Sequence, residues 1–355
     1  MGLPFLTNRA KQRDQVIAVD LGGRVTKAVY VRRQADKLSL ASYSLVETPN
    51  SDQAISAQAL AEHLKSVVGS LNARSRQLAL AVGVTDTVFR QVEVPLMPVD
   101  QVRQMLKYNS KTYLNQELPD HVFDCSFLPV RQTKSSESSK SAGPPKQPLA
   151  VAAAKRQLVD DWHAAIKGAG LMPEMVVPGL VGPVNALELA EPELFAKETV
   201  ALVDLGFKNS TIVILDCGDL VLNRVVNIGG DHLTQGLADA LGITYTEAEQ
   251  IKIGMPTEVQ ETLAGLLHPL GRELRASIDF FEHQHDKTVS QALLSGGSAR
   301  SEFVVQSLQN ELMIPCRTWN PAQTLHLALD PAQLGDLEQT APQLTVAIGT
   351  AASAL

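Results

Sequence analysis

Cysteine is scarce: Cys125, Cys217 and Cys316 are the only three in 355 residues, far apart and odd in number. That excludes a disulfide framework and any short Cys spacing for a metal, and it suits a reducing compartment. No basic stretch stands out against a net charge of -7, so nothing is suited to neutralising a row of nucleic-acid phosphates. There is no run of ~18 apolar residues to span a bilayer and no signal peptide, so a cytoplasmic location is expected. A Ser-elbow, a Walker lysine loop and a CxxC pair are all missing. His283 and His285 beside Glu282 offer little to a metal, because positions i and i+2 on a helix do not face each other. The first residues, with Phe5, Leu6, Arg9, Lys11 and Arg13, read either as a frayed polar tail or as a segment that touches an anionic membrane or a partner.

Apolar residues are plentiful, at 45% of the chain, enough for two ordinary cores. Residues 200 to 230 set the organisation. Val200 to Val203 reads as a buried strand, Asp204 and Gly206 break it with a turn, Thr211 to Leu215 resumes as a strand, and Cys217-Gly218-Asp219 turns into a third. The same grammar occurs near the start: Val16 to Val19, the turn Asp20-Leu-Gly22-Gly23, then Thr26 to Val31 and Leu38 to Val46. Each copy leads to a helix and a further apolar strand, Leu78 to Val84 after the first and Ala292 to Ser295 after the second. An internal duplication is predicted.

Such a turn has a chemical use. A strand-end Asp beside a glycine turn can hold a cation through water while the turn's N–H groups donate to phosphate oxygens, and two such turns can grip one nucleotide tail. For Asp20 and Asp204 the alternative is an Asx-turn that merely caps a strand end.

Asp20-Leu-Gly22, Asp204-Leu-Gly206 and Leu294-Ser-Gly296-Gly297-Ser298 resemble the phosphate-one, phosphate-two and adenosine elements of the actin, Hsp70 and sugar-kinase superfold. With Ile228-Gly-Gly230-Asp-His-Leu-Thr234 and Glu247-Ala-Glu249-Gln-Ile-Lys252 following in order, the chain over roughly 14 to 355 is similar to the PilM family, the actin-like cytoplasmic proteins of type IV pilus assembly. The resemblance implies an α/β, duplicated, actin-like (ribonuclease H-like) two-lobed ATPase fold with a small inserted subdomain. It implies ATP and Mg²⁺ between the lobes, with Asp20 and Asp204 facing the metal. Gly22, Gly23, Gly206 and Gly230 would lie close to phosphate, and Gly296, Gly297 and Ser298 under base and sugar. Glu249 and Lys252 would hold ribose and base, or form an exposed i,i+3 ion pair; both readings stand. It implies as partner a PilN-like bitopic membrane protein, bound by its cytoplasmic N-terminal peptide, and hence association with the inner membrane.

The expected organisation is a first lobe over 14–198, completed by 343–355, and a second over 199–342. The first carries an insertion at 96–175 with a mobile Ser, Lys, Gly and Pro loop at 131–148. The chain also departs from the family. Its first turn has Gly23, Arg24 and Val25 where hydroxyls are usual, so Arg24 or Lys27 would supply charge instead; in the second turn the hydroxyls of Ser210 and Thr211 come late. No carboxylate or amide near Val176 to Gly179 is available to orient an attacking water, which favours a nucleotide-dependent clamp over a turnover enzyme. A small-metabolite kinase of the same superfold and a nucleotide-free docking protein of a secretion system are the alternatives. An FtsA-like filament former would need a C-terminal amphipathic helix that is missing.

Overall fold

The computed structural model describes residues 13–35, 37–49, 55–128, 146–254 and 259–355. The N-terminal segment weighed above and most of the loop at 131–148 lie outside them. The chain opens with β1 (Gln15–Asp20), β2 (Val25–Gln34) and β3 (Lys37–Glu47), an antiparallel meander. Helix α1 (Ala57–Gly69) starts at Ser56, whose side chain accepts from the Ala59 N–H, and leads to β4 (Gln77–Val82), parallel to β1. Next come β5 (Thr87–Pro95), α2 (Val99–Leu114), β6 (His121–Phe127) and β7 (Lys146–Lys155), then α3 (Arg156–Gly168), β8 (Met172–Pro178), α4 (Val181–Ala190) and α5 (Pro192–Lys197).

The second half repeats the plan with β9 (Thr199–Leu205), β10 (Ser210–Asp216) and β11 (Asp219–Val226). Then follow α6 (Gly230–Leu241), α7 (Tyr245–Gly254), α8 (Gln260–His285), β12 (Gln291–Gly296), α9 (Glu302–Leu312), β13 (Cys316–Thr318), β14 (His326–Leu327), α10 (Pro331–Thr340) and α11 (Thr345–Ala354). The two large sheets run β14-β3-β2-β1-β4-β8 and β11-β10-β9-β12-β13, so the duplicated strands take the same order in each, and β5-β7-β6 form a third sheet.

The unbroken apolar runs of β1 and β9 follow from burial on both faces. Ile17 and Val19 pack under α1 with Leu60 and Leu64, while Val16 and Ala18 face α11 with Ala347 and Ile348. On β9, Ala201 and Val203 meet α6 and α8, while Val200 and Leu202 meet α4. Helix α4 thus covers the second sheet and α11 the first, and their crossing joins the halves. It is tight: a Cβ on Gly349 would lie 1.8 Å from the Gly182 carbonyl oxygen.

Several local expectations change. Asp231 does not cap α6; Gly229 is the N-cap, in extended conformation, and Asp231 sits in the first turn. Lys146 to Pro148 belong to β7, paired with β5, rather than to a loop. The third sheet begins at Thr87, and Trp162, Ala165 and Ile166 of α3 join the core under β1 and β4. Residues 331–340 are helical because Asp330 accepts from the Gln333 N–H and Pro331 opens the first turn. Helix α8 runs in one piece with Pro269 inside, and Arg275 on it donates to Asp279 and to the Leu312 carbonyl. The Thr244–Glu247 capping box is formed, with Thr244 N donating to Glu247 Oε2 at 2.8 Å and Glu247 N to Thr244 Oγ1 at 3.3 Å.

Candidate functional site

The carboxyl ends of β1 and β4 in one sheet face those of β9 and β12 in the other, across a cleft of about 460 Å³. That is within the roughly 300–1,000 Å³ of small-molecule sites, and in open α/β sheets ligands bind at strand carboxyl ends. Both Asp-Leu-Gly turns line it. So do Arg24, Lys27, Thr211, Gly230, Glu249, Lys252, Gly296, Gly297 and Ser298. Of the residues predicted from sequence only Ser210 stands outside: it is fully buried, and its Oγ donates to the Ile228 carbonyl at 2.7 Å, closing the hairpin onto α6.

The duplication carries through to register. Asp20 pairs with Lys27 across β1 and β2, and Asp204 pairs with Thr211 across β9 and β10. The copies then diverge in charge. Lys27 Nζ donates to Asp20 Oδ2 at 3.0 Å, whereas Asp204 Oδ1 accepts from Ser295 Oγ at 2.8 Å. Burial alone would lower the Lys27 ammonium's pKa, but Asp20 and, further off, Asp204 raise it above its ordinary value. Burial pushes the Asp204 carboxyl up, against the pull of Lys27 and Ser295. Lys27 therefore brings a fixed positive charge into the cleft.

The glycines are needed for close approach at two points. Gly296 has φ +94°, and a Cβ there would lie 2.4 Å from the Leu205 carbonyl oxygen; a Cβ on Gly230 would lie 2.7 Å from Ser298 Oγ.

The first turn is propped from beneath. Thr48 Oγ1 donates to the Gly22 carbonyl at 2.7 Å, so Thr26 must donate to Thr48 at 2.9 Å, and His63 Nε2 must donate to Thr26 at 2.7 Å. This direction assigns the proton to Nε2 of a neutral His63, consistent with burial holding its pKa below the usual value.

On the opposite wall, Lys252 is only 3% exposed, so its i,i+3 pair with Glu249 is buried rather than solvated. Lys252 Nζ donates to Glu249 Oε2 at 2.8 Å and to Thr234 Oγ1 at 2.7 Å, and Thr234 Oγ1 donates to Glu249 at 2.5 Å. Arg24 of the first turn joins them across the cleft, 2.9 Å from Glu249 and 5.7 Å above the Tyr245 ring. Desolvation lowers the Lys252 pKa, opposed by Glu249. For Glu249 burial would raise the pKa, but Lys252, Thr234 and Arg24 bring it below normal.

Two residues, Asp86 on the wall and Tyr245 behind Arg24, carry no local sequence signal. Asp86 follows β4 and lines the cleft beside Gly83, Val84 and Thr85, and desolvation pushes its carboxyl up. Tyr245 donates to Asp231 at 2.9 Å, and its phenol is pushed up to about 12, chiefly by burial and by that carboxylate. Asp86 is a carboxyl on the same cleft wall as Gly179, from another segment of the chain.

A nucleotide with Mg²⁺ fits these donors. Paired glycine turns and one lysine suit a phosphate tail. Among the described residues no three His, Cys, Asp or Glu side chains converge, so Asp20 and Asp204 suit a hydrated ion that arrives with its phosphates rather than a protein-caged one.

A family model described as type IV pilus assembly protein PilM matches residues 18–354. Among solved structures, the chain is similar to one titled PilM-PilN type IV pilus biogenesis complex, with TM-score 0.82, 22% identity, and 97% of this chain and 99% of that one covered. It is also similar to the ethanolamine utilization protein EutJ from Carboxydothermus hydrogenoformans, at TM-score 0.54 and 14% identity over 96% of this chain and 90% of that one. MreB 5 of Spiroplasma citri bound to AMPPNP gives 0.52 and 10%, over 96% of each. The fold is the two-lobed actin-like one.

Proposed function

We propose that this chain, which belongs to the type IV pilus assembly protein PilM family, is an assembly scaffold that binds ATP with Mg²⁺ between its lobes. In the same reading it docks the cytoplasmic N-terminal peptide of a PilN-like bitopic membrane protein. The observation that carries the nucleotide half is the convergence of Asp20, Lys27, Asp204 and the Gly296-Gly297-Ser298 turn on one cleft. The likeness to a PilM-PilN type IV pilus biogenesis complex over 97% of this chain supports the partner half. The groove is proposed beside the insertion at 96–175 of the first lobe, which would span 14–198 and be closed by 343–355, with the second lobe at 199–342. Among the described residues no helix is long and apolar enough to cross a membrane, and a PilN-like bitopic partner would supply the span.

Each residue then has a task. The turn N–H groups at Gly22, Gly23 and Gly206 receive phosphate oxygens, and Lys27 adds charge. Bound Mg²⁺ would neutralise phosphate charge and fix the tail. Glu249 and Lys252 take the ribose side, with Ser298 and the two glycines before it under the base. Nucleotide alters the peptide groove only as far as it favours closed over open lobes. Calorimetric titration with MgATP and then with the peptide tests this; saturating peptide without heat or a melting shift overturns the partner half.

A second reading, slow ATP turnover, has Asp86 in its favour, a carboxyl on the cleft wall that could orient a water. A coupled ADP-release assay on the purified chain, with and without a sugar panel, separates scaffold, slow ATPase and kinase.

A further inference from the structure

The end of the six-stranded sheet opposite the cleft gathers positive charge. Strands β3, β1, β4 and β8 begin there and β2 finishes there. Arg33 N donates to the Asp14 carbonyl and Met172 N to the Arg76 carbonyl, which ties these strand ends into one rim. Arg13, Arg32, Arg33, Lys37, Arg74 and Arg76 all lie on it. Five adjacent strands at about 4.8 Å spacing make a row about 19 Å long, short enough for neighbours within a Debye length of about 8–10 Å to act together.

Little opposes this charge. Glu174 is held by Arg13 at 3.1 Å, and the Asp14 carbonyl accepts from Arg33 N. Arg32 and Arg33 are half-buried, point to opposite faces by strand alternation, and each has a buried Nε with no acceptor. Arg32 is braced 5.9 Å over the Tyr30 ring, and Tyr30 donates to Gln15 at 2.5 Å. Lys37, Arg74 and Arg76 are exposed, as is Met172, 59% accessible beside them. A chain of net charge -7 has thus gathered basic side chains on one edge, and the buried Nε atoms of Arg32 and Arg33 among them lack an acceptor.

We propose that this rim docks directly on an anionic lipid surface, its arginines meeting headgroup phosphates and Met172 entering the interface. A row along a sheet end suits a plane, whereas an acidic peptide would call for a groove. The proposal is independent of the nucleotide and peptide readings, and it places the cleft on the side away from the lipid.

The test is co-sedimentation of the full, purified chain with phosphatidylglycerol-rich vesicles and with pure phosphatidylcholine vesicles. Binding is expected to the former alone at low salt, and to be lost near about 0.5 M salt, where screening is short-ranged. Each basic side chain near an anionic leaflet is worth about fivefold, so Arg74→Gln with Arg76→Gln should weaken binding on the order of 20-fold. Both side chains are exposed, and the variant should keep the wild-type melting temperature. Arg32→Gln with Arg33→Gln should weaken it similarly, subject to the same melting control. Wild-type protein left in the supernatant at low salt overturns the proposal. So does a natively melting Arg74, Arg76 variant that sediments as well as wild type, or binding to polyglutamate through these arginines without binding to vesicles.

Discussion

Arg24 of the first glycine turn reaches across the cleft to Glu249 of α7, its Nη1 2.9 Å from Oε2 and its guanidinium 5.7 Å above the Tyr245 ring. This contact links the first turn to α7 across the cleft, and both of its side chains line the cleft, so a ligand held there would meet it on entering or leaving. The arginine side chain is 36% exposed, which limits the pair to about 1 kcal/mol or less of stability. Arg24→Ala should therefore leave the melting temperature nearly unchanged yet speed release of a fluorescent ATP analogue by about fivefold. Stopped-flow displacement checks it; unchanged release would mean the contact does not gate the cleft.

Removing Lys252 strands a buried carboxylate. Breaking such a pair from one side costs about 3–5 kcal/mol, and Arg24 still supports Glu249, so Lys252→Met should lose about 3 kcal/mol in chemical denaturation. The double variant Lys252→Met, Glu249→Leu should recover part of that loss, because the orphaned charge is gone.

Asp204 sets a pH dependence. Its folded pKa lies above the unfolded value near 3.8, because burial disfavours the charged form. The folded state then binds the proton more tightly, so this group's contribution is most favourable below about 3.8, declines as pH rises towards the folded value, and stays low above it. Asp204→Asn should gain stability over wild type as pH rises from about 4 to neutral, while losing Mg²⁺-dependent nucleotide affinity. Melting curves across that range check the sign; a wild type that gains on the variant with rising pH contradicts it.

Gly349 and Gly182 meet where α11 crosses α4, and a Cβ on Gly349 would sit 1.8 Å from the Gly182 carbonyl oxygen. Overpacking of this kind costs at least about 1–3 kcal/mol. Gly349→Ala should lower the melting temperature or abolish folding, whereas Gly335→Ala, with open space around it, should be neutral or mildly stabilising.

Much of this architecture was legible because it is written in local signals. The Asp-Leu-Gly turns at 20–22 and 204–206 follow four-residue apolar runs, and those runs are unbroken because helices bury both faces of β1 and β9. Helix α10 carried a start signal too, Asp330 before Pro331, but only Leu334 and Leu337 follow it, and of these just Leu337 is buried, so the apolar period is faint. Asp231 resembled a cap by residue type, while extended Gly229 took the position. Asp86, the Arg24–Glu249 contact and the His63 to Gly22 relay have no signal in the chain, since each depends on segments that only the fold brings together. Ser210 shows the reverse: the right residue type beside the right turn, facing inwards because β10 is buried on both faces.

The account turns on one nucleotide held between the two aspartate turns. Titration calorimetry of MgATP into the full chain, beside Asp20→Asn and Asp204→Asn, measures that directly. Wild type should bind with one site per chain, and each variant should lose most of the affinity while keeping its fold by circular dichroism. Binding of equal strength in wild type and both folded variants, or no heat from wild type at all, would contradict it.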